Sequence, residues 1–559
     1  MRGKTLTLTL AACAGGALCA AYGPVAAPTN LQPAGALPAA SAADDITVPD
    51  WERQYDKALD FAVDELAKLS KWCVKEQLEW TSNYVRRRSF RYRPDHPELR
   101  AEFGYERDPA GRWVQNDLRR DELRSTIDIN DPTSSGFDKN MDKLQAKVAD
   151  RFKGLAVKAD KMAASSGDPQ WKELAERAWE RVLEADPDGK IAKQAHEALK
   201  HPKFDGEYCS PFKLRFLKSR KERKQAGEAL AAKQYDVEKV PADGLIPKSG
   251  LAGFGARSTH WVINTTHSQE VAIELAQWSE RALEDIATQY GFPEQAVERR
   301  VFQKYDIVKP DGDELQQYLE KGAQWDRAKV TKYLEHFGGM SAEPRGFVSK
   351  GTGGQDSWDL VCHETGHALV AGAMFAAMSD LGARLGSTSR GNDVENWLQE
   401  SVSYDSTRRL TGTTITTCGT FGRYGMNLTP KPGQDIWILL ARRQVEMDDD
   451  VPLSQLWHTE INDLKGPETV KGYALLQFLF EHDTTLAQKF VWHALAHGTP
   501  AAVMDVYGDW LGVQKSDDSG GETAGHAAPQ TGGASALPEY NAAMDLLDDR
   551  YREWILKAW

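Results

Sequence analysis

Residues 359–370 read DLVCHETGHALV, a segment in which two histidines stand four positions apart and a glutamate directly follows the first. Because each residue advances an α-helix by about 100°, His363 and His367 would lie about 40° apart on one face, one turn from each other. Two imidazoles placed in this way can bind one metal ion, and the carboxylate of Glu364 can then activate a water molecule without becoming a ligand itself. The alternative is a pair of partly buried histidines that only form hydrogen bonds.

A candidate third ligand follows in residues 394–410, VENWLQESVSYDSTRRL, where a glutamate lies inside a helical pattern. Together with the HExxH segment, the phrase Trp397-Leu398-Gln399-Glu400 resembles the gluzincin (peptidase MA-like) superfamily of zinc metallopeptidases, whose third ligand lies in a phrase of the type Trp-Leu-x-Glu-Gly-x-Ala-x-Tyr. The resemblance implies a single Zn²⁺ ion bound by His363, His367 and Glu400. It also implies that the glutamate of the motif is the catalytic base.

This match has departures from the family pattern and one competing ligand. Ser401 stands where the family has glycine, Tyr404 falls one position early, and the spacing from the HExxH segment is longer than usual, which an insertion over residues 382–394 would explain. Glu395 lies five residues before Glu400, about 140° around the helix, so only one of the two can face the metal. The preceding Trp-Leu pair favours Glu400.

Strand and helix patterns alternate before the HExxH segment. In chain order they predict the strand THWVINT (259–265), the helix SQEVAIELAQWSERALEDIATQY (268–290), the strand ERRVFQKYDIV (298–308), the helix DELQQYLEK (313–321) and the strand PRGFVSKG (344–351). The resemblance implies that these form a gluzincin catalytic half, with the mostly helical chain after it as the other wall. We therefore predict an α+β fold with a gluzincin-like domain over residues 249–559.

The chain outside this domain is predicted to be mostly helical. Apolar residues recur at three- and four-residue steps over residues 46–240, which indicates packed, tetratricopeptide-like helices without a countable repeat. A Pro- and Gly-bearing segment, 240–258, marks the predicted boundary. The dense basic runs at 86–88 and 213–224 are predicted to be solvated helix faces. Residues 515–537 contain too few large apolar side chains to pack, so we predict a disordered insertion there.

The first 42 residues have the layout of a secretory signal peptide and linker. Two basic residues precede a small, apolar segment, and the first acidic residue is Asp44. Cleavage near Ala42 is the favoured route, while Leu10-Ala11-Ala12-Cys13 resembles a lipoprotein processing site that would leave Cys13 lipidated. Both routes predict an exported protein, periplasmic or extracellular, whose only membrane contact would be that N-terminal lipid.

Composition excludes two further classes of function. The net charge of −13 argues against a nucleic-acid partner, because a phosphate backbone would be repelled. Cys73, Cys209, Cys362 and Cys418 show no CxxC spacing, so a cysteine-based zinc site has no support. We predict that these four are isolated buried thiols.

A gluzincin also supplies a tyrosine or histidine that stabilises the oxyanion of the tetrahedral intermediate. Residues 468–482, ETVKGYALLQFLFEH, occupy the expected region, but Thr469 stands where the family has its tyrosine. Tyr473 is our predicted substitute, and an aromatic side chain packed in an apolar helix is the competing interpretation. His482 is a second candidate.

The substrate is expected to be a peptide or protein cleaved at internal bonds. Aminopeptidase relatives carry a glutamate-bearing phrase before the zinc helix, whereas residues 345–359 here offer only Asp356 and Asp359. The strand that ends at Gly351 could instead pair with an extended substrate. The alternative function is an envelope binding or scaffold protein, whose N-terminal helices bind a protein partner while the zinc domain is structural or catalytically weak.

Overall fold

The computed structural model describes the chain from residue 46 to its end, with gaps. The described residues are 46–107, 111, 113–116, 135–293, 303–309, 313–336, 339–343, 346–381, 395–413, 435–460, 464, 466–513 and 538–559. The predicted signal region 1–42 with Cys13, the insertions at 382–394 and 515–537, and Cys418 all lie outside this part.

The N-terminal part is helical, as the periodicity predicts. Its helices are α1 (Val48–Lys75), α2 (Glu79–Arg87), α3 (Pro97–Glu102), α4 (Ser135–Ser166), α5 (Pro169–Ala185), α6 (Ala192–Ala198) and α7 (Pro211–Ala231), with a 3₁₀ turn at Arg88–Arg91. Two short hairpins, β1–β2 (Tyr105–Arg107 with Trp113–Gln115) and β3–β4 (Lys203–Phe204 with Glu207–Tyr208), interrupt them. The indole of Trp51 in α1 donates a hydrogen bond to the carbonyl of Leu155 in α4 at 3.1 Å, which joins two of the longest helices.

The two basic runs are only partly solvated, which corrects the prediction made for them. Arg87 is buried and donates to the backbone carbonyl of Met447. In α7, Arg223 is buried against a carboxylate of the C-terminal part, whereas Lys218 and Lys224 point into solvent. A guanidinium has a planar set of donors that can satisfy a buried acceptor, which explains how Arg87 and Arg223 can turn inward.

One six-stranded mixed sheet contains all three predicted strands. Its members are β5 (Glu238–Pro241), β6 (Phe254–Arg257), β7 (Trp261–Thr265), β8 (Gln303–Val308), β9 (Gly339–Glu343) and β10 (Gly346–Lys350), in the order β5-β6-β7-β8-β10-β9. The central strands β7, β8 and β10 are parallel. Antiparallel pairing adds β6 and β5 on one side and β9 on the other.

The Gly- and Pro-bearing segment interpreted as a boundary holds part of this sheet. A Cβ atom on Gly255 would lie 2.7 Å from the carbonyl oxygen of Val240, so glycine is required where β6 pairs with β5. Pro241 is tolerated because β5 is an edge strand among the described strands. The sheet therefore begins at Glu238, ahead of the predicted domain start at residue 249. Val48–Trp559 forms one compact unit across this point.

The connection between the parallel strands β7 and β8 is a long helix. The helices of this region are α8 (Leu245–Lys248), α9 (Gln269–Tyr290), α10 (Glu314–Gln317) and α11 (Arg327–His336), and a π-helical turn, Tyr318–Gly322, follows α10. Ser268 caps α9 by accepting a hydrogen bond from the amide of Val271, and Gly291, with φ +66°, ends it. α9 packs on β6 and β7 and on the HExxH helix.

Among its described residues, the C-terminal part contains helices and turns but no strand. Its helices are α12 (Gln355–Asp380), α13 (Asn396–Thr411), α14 (Ile436–Glu446), α15 (Leu453–Leu456), α16 (Gly466–His482), α17 (Thr484–His497), α18 (Thr499–Ala502), α19 (Gly508–Leu511) and α20 (Pro538–Lys557), with a π-helical turn at Val503–Tyr507. The last helix docks through the buried side chains of Met544, Leu547 and Trp554, as predicted. The fold is thus α+β, mostly helical with a small sheet.

Two further features of the described residues concern membrane-spanning helices and cysteines. None of their helices combines the length and the apolar character needed to cross a membrane. Cys209 and Cys362 are buried thiols, and Cys73 is also buried, in agreement with the prediction for these three residues.

Candidate metal centre

The HExxH segment lies on α12, as its spacing predicts. A loop with Gly353 at φ +81° leads into this helix, and the carboxylate of Asp356 accepts a hydrogen bond from the amide of Thr352 at 2.9 Å. His363 is fully buried, and its Nε2 atom lies 3.0 Å from the Nε2 atom of His367. The helix therefore presents both imidazoles at one point.

Glu400, on α13, faces the same point. Its Oε2 atom lies 3.4 Å from Nε2 of His363, and its Oε1 atom lies 3.3 Å from Nε2 of His367. Ligand atoms arranged tetrahedrally at about 2.0–2.1 Å from a zinc ion would be about 3.3 Å from one another. The three separations thus match the spacing of three ligands around a single ion.

The chemistry of Glu400 also fits a cation. Its carboxylate is buried, and no hydrogen bond of good geometry from the described residues reaches either oxygen. A buried carboxylate is stable only when a positive charge or several donors compensate for its lost hydration. Two imidazole nitrogens and one carboxylate form a donor set that zinc commonly accepts. The residues present therefore fit one Zn²⁺ ion.

In the metal-free chain, the charges of this cluster shift one another's protonation. Burial opposes ionisation of both His367 and Glu400, but their mutual attraction outweighs it. The pKa of His367 is raised to about 9, and the pKa of Glu400 is held well below its usual range. A proton on His367 thus balances the buried charge of Glu400.

Glu364 also lies beside the two histidines. Ligand-type atoms of His363, Glu364 and His367 all lie within 4.8 Å of one another. Burial raises the pKa of Glu364, although the neighbouring histidines oppose this shift. A carboxylate whose pKa is raised is better suited to accept a proton near neutral pH than an exposed one.

Glu395, the competing ligand, is placed away from this cluster. Its carboxylate accepts hydrogen bonds from the indole of Trp397 at 2.9 Å and from the amide of Thr499 at 2.8 Å. Glu395 therefore ties the start of α13 to α18, and Glu400 is the one that meets the histidines.

Sequence reasoning missed two residues that shape the site. Gly366, inside the HExxH motif, packs directly on Ser403 of α13, so the two helices can approach closely. The ring of Tyr404 lies 4.5 Å from the ring of His363. In the sequence, Tyr404 stands out only as a departure from the family phrase. Gly366 contributes by having no side chain, and such a contribution leaves no hydrophobic pattern to read.

The described contacts of the two predicted oxyanion donors lie elsewhere. The hydroxyl of Tyr473 donates to Asp435 at 2.7 Å, and its ring lies 5.3 Å from that of Trp437. The ring of His482, at the end of α16, lies 4.4 Å from that of Trp510. The structure therefore brings together four of the predicted site residues, while the hydroxyl of Tyr473 is bound to another group.

The prediction that the strand ending near Gly351 pairs with substrate is wrong. This strand is β10, and both of its edges are already paired, with β8 on one side and β9 on the other. Among the described strands, β9 is the edge on this side of the sheet. Asp359 is buried and accepts hydrogen bonds from Thr413 at 2.9 Å and Gln355 at 2.8 Å, so it is engaged within the protein.

Comparison of the chain with protein-family models, with curated proteins and with solved structures returned no match. The resemblance to gluzincins therefore remains a prediction that depends on the motifs and on the geometry described above.

Proposed function

We propose that the protein is a zinc-dependent metallopeptidase of the gluzincin type, which acts after export and binds one Zn²⁺ ion through His363, His367 and Glu400. The observation that carries this proposal is the approach of these three side chains to within 3.0–3.4 Å of one another from two separate helices. A zinc ion bound there would polarise the substrate carbonyl and lower the pKa of a water molecule.

Glu364 is the general base in this proposal. It accepts a proton from the attacking water and then delivers that proton to the amine nitrogen as the carbon–nitrogen bond breaks. Its raised pKa supports both halves of this cycle, because a carboxyl group with a pKa nearer to neutral can hold and release a proton. Water is the only co-substrate, and no redox partner is needed.

A polypeptide is the substrate that the surroundings favour. Among the described strands, β9 lies at one edge of the sheet, so its outer backbone groups can pair with an extended chain. Asp356 caps the loop before α12, and Asp359 is held by Thr413 and Gln355. Both carboxylates are thus engaged within the protein, and neither is a glutamate of the aminopeptidase type, which favours internal cleavage.

A second candidate function has one observation in its favour. The hydroxyl of Tyr473 is bound to Asp435, so an oxyanion donor is not evident among the described contacts of Tyr473. An envelope binding or scaffold protein with a structural zinc site would need no such donor. In that case the partner would be a protein bound by the N-terminal helices.

The test combines metal analysis with cleavage of a mixed peptide library. The wild-type protein is compared with Glu364→Gln, which keeps the three ligands, and with His363→Ala, which removes one. We expect one zinc per chain in the wild type and in Glu364→Gln, less in His363→Ala, and cleavage by the wild type alone. Equal cleavage by the wild type and Glu364→Gln would exclude the peptidase. Zinc without cleavage in any variant would favour the scaffold.

A further inference from the structure

Asp405 lies five residues after Glu400 on α13 and is completely buried. Its carboxylate accepts two hydrogen bonds, at 2.9 and 3.0 Å, from the guanidinium of Arg223 in α7. The hydroxyl of Tyr290 in α9 donates to the same carboxylate at 2.6 Å. One side chain of the helix that carries the third ligand is thus held by two other helices.

A fourth helix and a second arginine extend this network. Gln477 of α16 donates to Asp405 and accepts from Arg223 at 2.6 Å. Arg409, one turn after Asp405, donates to it at 3.1 Å and to Asp285 of α9 at 2.6 and 2.7 Å. Burial opposes ionisation of Asp405, but Arg223 and Arg409 lower its pKa to about 2. In this network two arginines face two buried aspartates.

Backbone packing holds α13 at the same place. Gly227, one turn after Arg223 on α7, lies against the backbone of Arg409. A Cβ atom at Gly227 would be 2.6 Å from the carbonyl oxygen of Arg409, closer than any side chain could stand. The network therefore acts on a helix that α7 already contacts directly.

We propose that Arg223 and Asp405 are positioning residues for the metal centre, and that α7 of the N-terminal part fixes the axial position and rotation of α13 so that Glu400 meets both histidines. Five residues span about 7.5 Å along a helix, so a shift at Asp405 is transmitted to Glu400 through a rigid segment. The proposal rests on the proposed function. It gives α7, in the N-terminal part, the role of positioning the helix that carries Glu400.

The chain contains a matched control for this test. Arg220 lies one turn before Arg223 on α7 and forms a similar two-pronged pair, at 2.7 and 2.8 Å, with the buried Glu481 of α16. This pair anchors α7 but involves no residue of α13. Arg220→Gln therefore reproduces the loss of a docking ion pair without touching the network around Asp405.

The first measurement is hydrogen exchange of residues 396–411 in the metal-free protein. We expect Arg223→Gln to accelerate exchange in this segment about tenfold or more relative to Arg220→Gln, when the variants are matched for overall stability by added denaturant. Tyr290→Phe removes a single hydrogen bond and should act in the same direction more weakly. Tyr290→Phe can replace Arg223→Gln in this measurement if Arg223→Gln does not fold.

The second measurement is zinc affinity in competition with a chelating dye. Loss of a residue that orients a ligand typically costs about 10- to 100-fold in metal affinity, which is the loss expected for Arg223→Gln and not for Arg220→Gln. Equal exchange rates in the two variants, or equal zinc affinities, would overturn the positioning role. If the wild type binds no zinc while the exchange rates differ, the proposed metal site fails and the control of α13 by α7 stands.

Discussion

Gly366 of α12 and Ser403 of α13 meet where these two helices pack, with no room for a side chain on Gly366. A Cβ atom there would lie 2.4 Å from the hydroxyl oxygen and 2.7 Å from the Cα atom of Ser403. Since the second of these atoms belongs to the backbone, a rotamer change could not relieve the clash. The separation of α12 and α13, the helices that carry the three proposed ligands, thus depends on this glycine.

Gly366→Ala should force the helices apart and weaken zinc binding. We expect the free energy of unfolding to fall by about 1–3 kcal/mol, the usual cost of overpacking a tight interior. Gly154→Ala is the control, because that helical glycine has open space around its Cβ position and alanine there should stabilise α4 by up to about 1 kcal/mol. Urea denaturation and zinc titration of both variants provide the measurement. If Gly366→Ala bound zinc as tightly as the wild type does, zinc binding would not depend on this glycine.

Zinc should stabilise the protein through Glu400 and independently of Glu395. With free zinc at a thousandfold excess over its dissociation constant, the free energy of unfolding should rise by about 4 kcal/mol. Glu400→Gln should abolish most of this gain. Glu395→Gln should lower stability, because Trp397 and Thr499 lose a charged acceptor, while the gain from zinc persists. Thermal unfolding with chelator and with zinc tests both, and an undiminished shift in Glu400→Gln would rule out its ligand role.

Zinc affinity should increase with pH. Below its raised pKa of about 9, His367 carries a proton in the metal-free protein, and zinc can bind only after that proton leaves. The apparent affinity should therefore rise about tenfold per pH unit between pH 7 and 9 and then level off. Titrations at several pH values with a chelating dye would show this slope, and a flat profile over this range would contradict it.

The same shift predicts an opposite trend for stability without metal. A histidine whose pKa is higher in the folded state than its ordinary value of 6.5 contributes stability that is complete below about pH 6.5 and is lost as the pH rises through 9. The chelated wild type should thus lose stability over this range, relative to His367→Gln. Denaturant unfolding of both proteins from pH 6 to 10 would test the sign.

Tyr473→Phe separates a structural from a catalytic role for this tyrosine. Removal of its hydrogen bond to Asp435 should lower the free energy of unfolding by about 1 kcal/mol and leave zinc affinity unchanged. If the hydroxyl stays with Asp435 during turnover, peptide cleavage should also persist. A loss of cleavage by about 100-fold or more with zinc fully bound would instead assign the oxyanion role to Tyr473.

The sequence predicts those helices and strands in which residue types recur at the short spacing of a helix or a strand. One helical turn separates His363 from His367 on α12, and α9 follows from apolar periodicity. The strands β5, β6 and β9 escape prediction because glycine, proline or polar residues interrupt their alternation. The inward turn of Arg223 is also unpredictable, since its partner, Asp405, is 182 residues away and belongs to no common motif. Such contacts are fixed by tertiary packing alone.

The seating of α7 against α13 determines how this chain can be divided. A fragment cut to begin at residue 249 would lack β5 together with Arg220 and Arg223 of α7. It would remove the arginine paired with Glu481 and leave Asp405 with Arg409 alone. Removal of one member of a buried ion pair costs about 3–5 kcal/mol, which is a large part of the stability of an ordinary domain. The HExxH half should therefore not fold as an isolated fragment, whether it is produced by recombination or by cloning. It requires the helices that precede it.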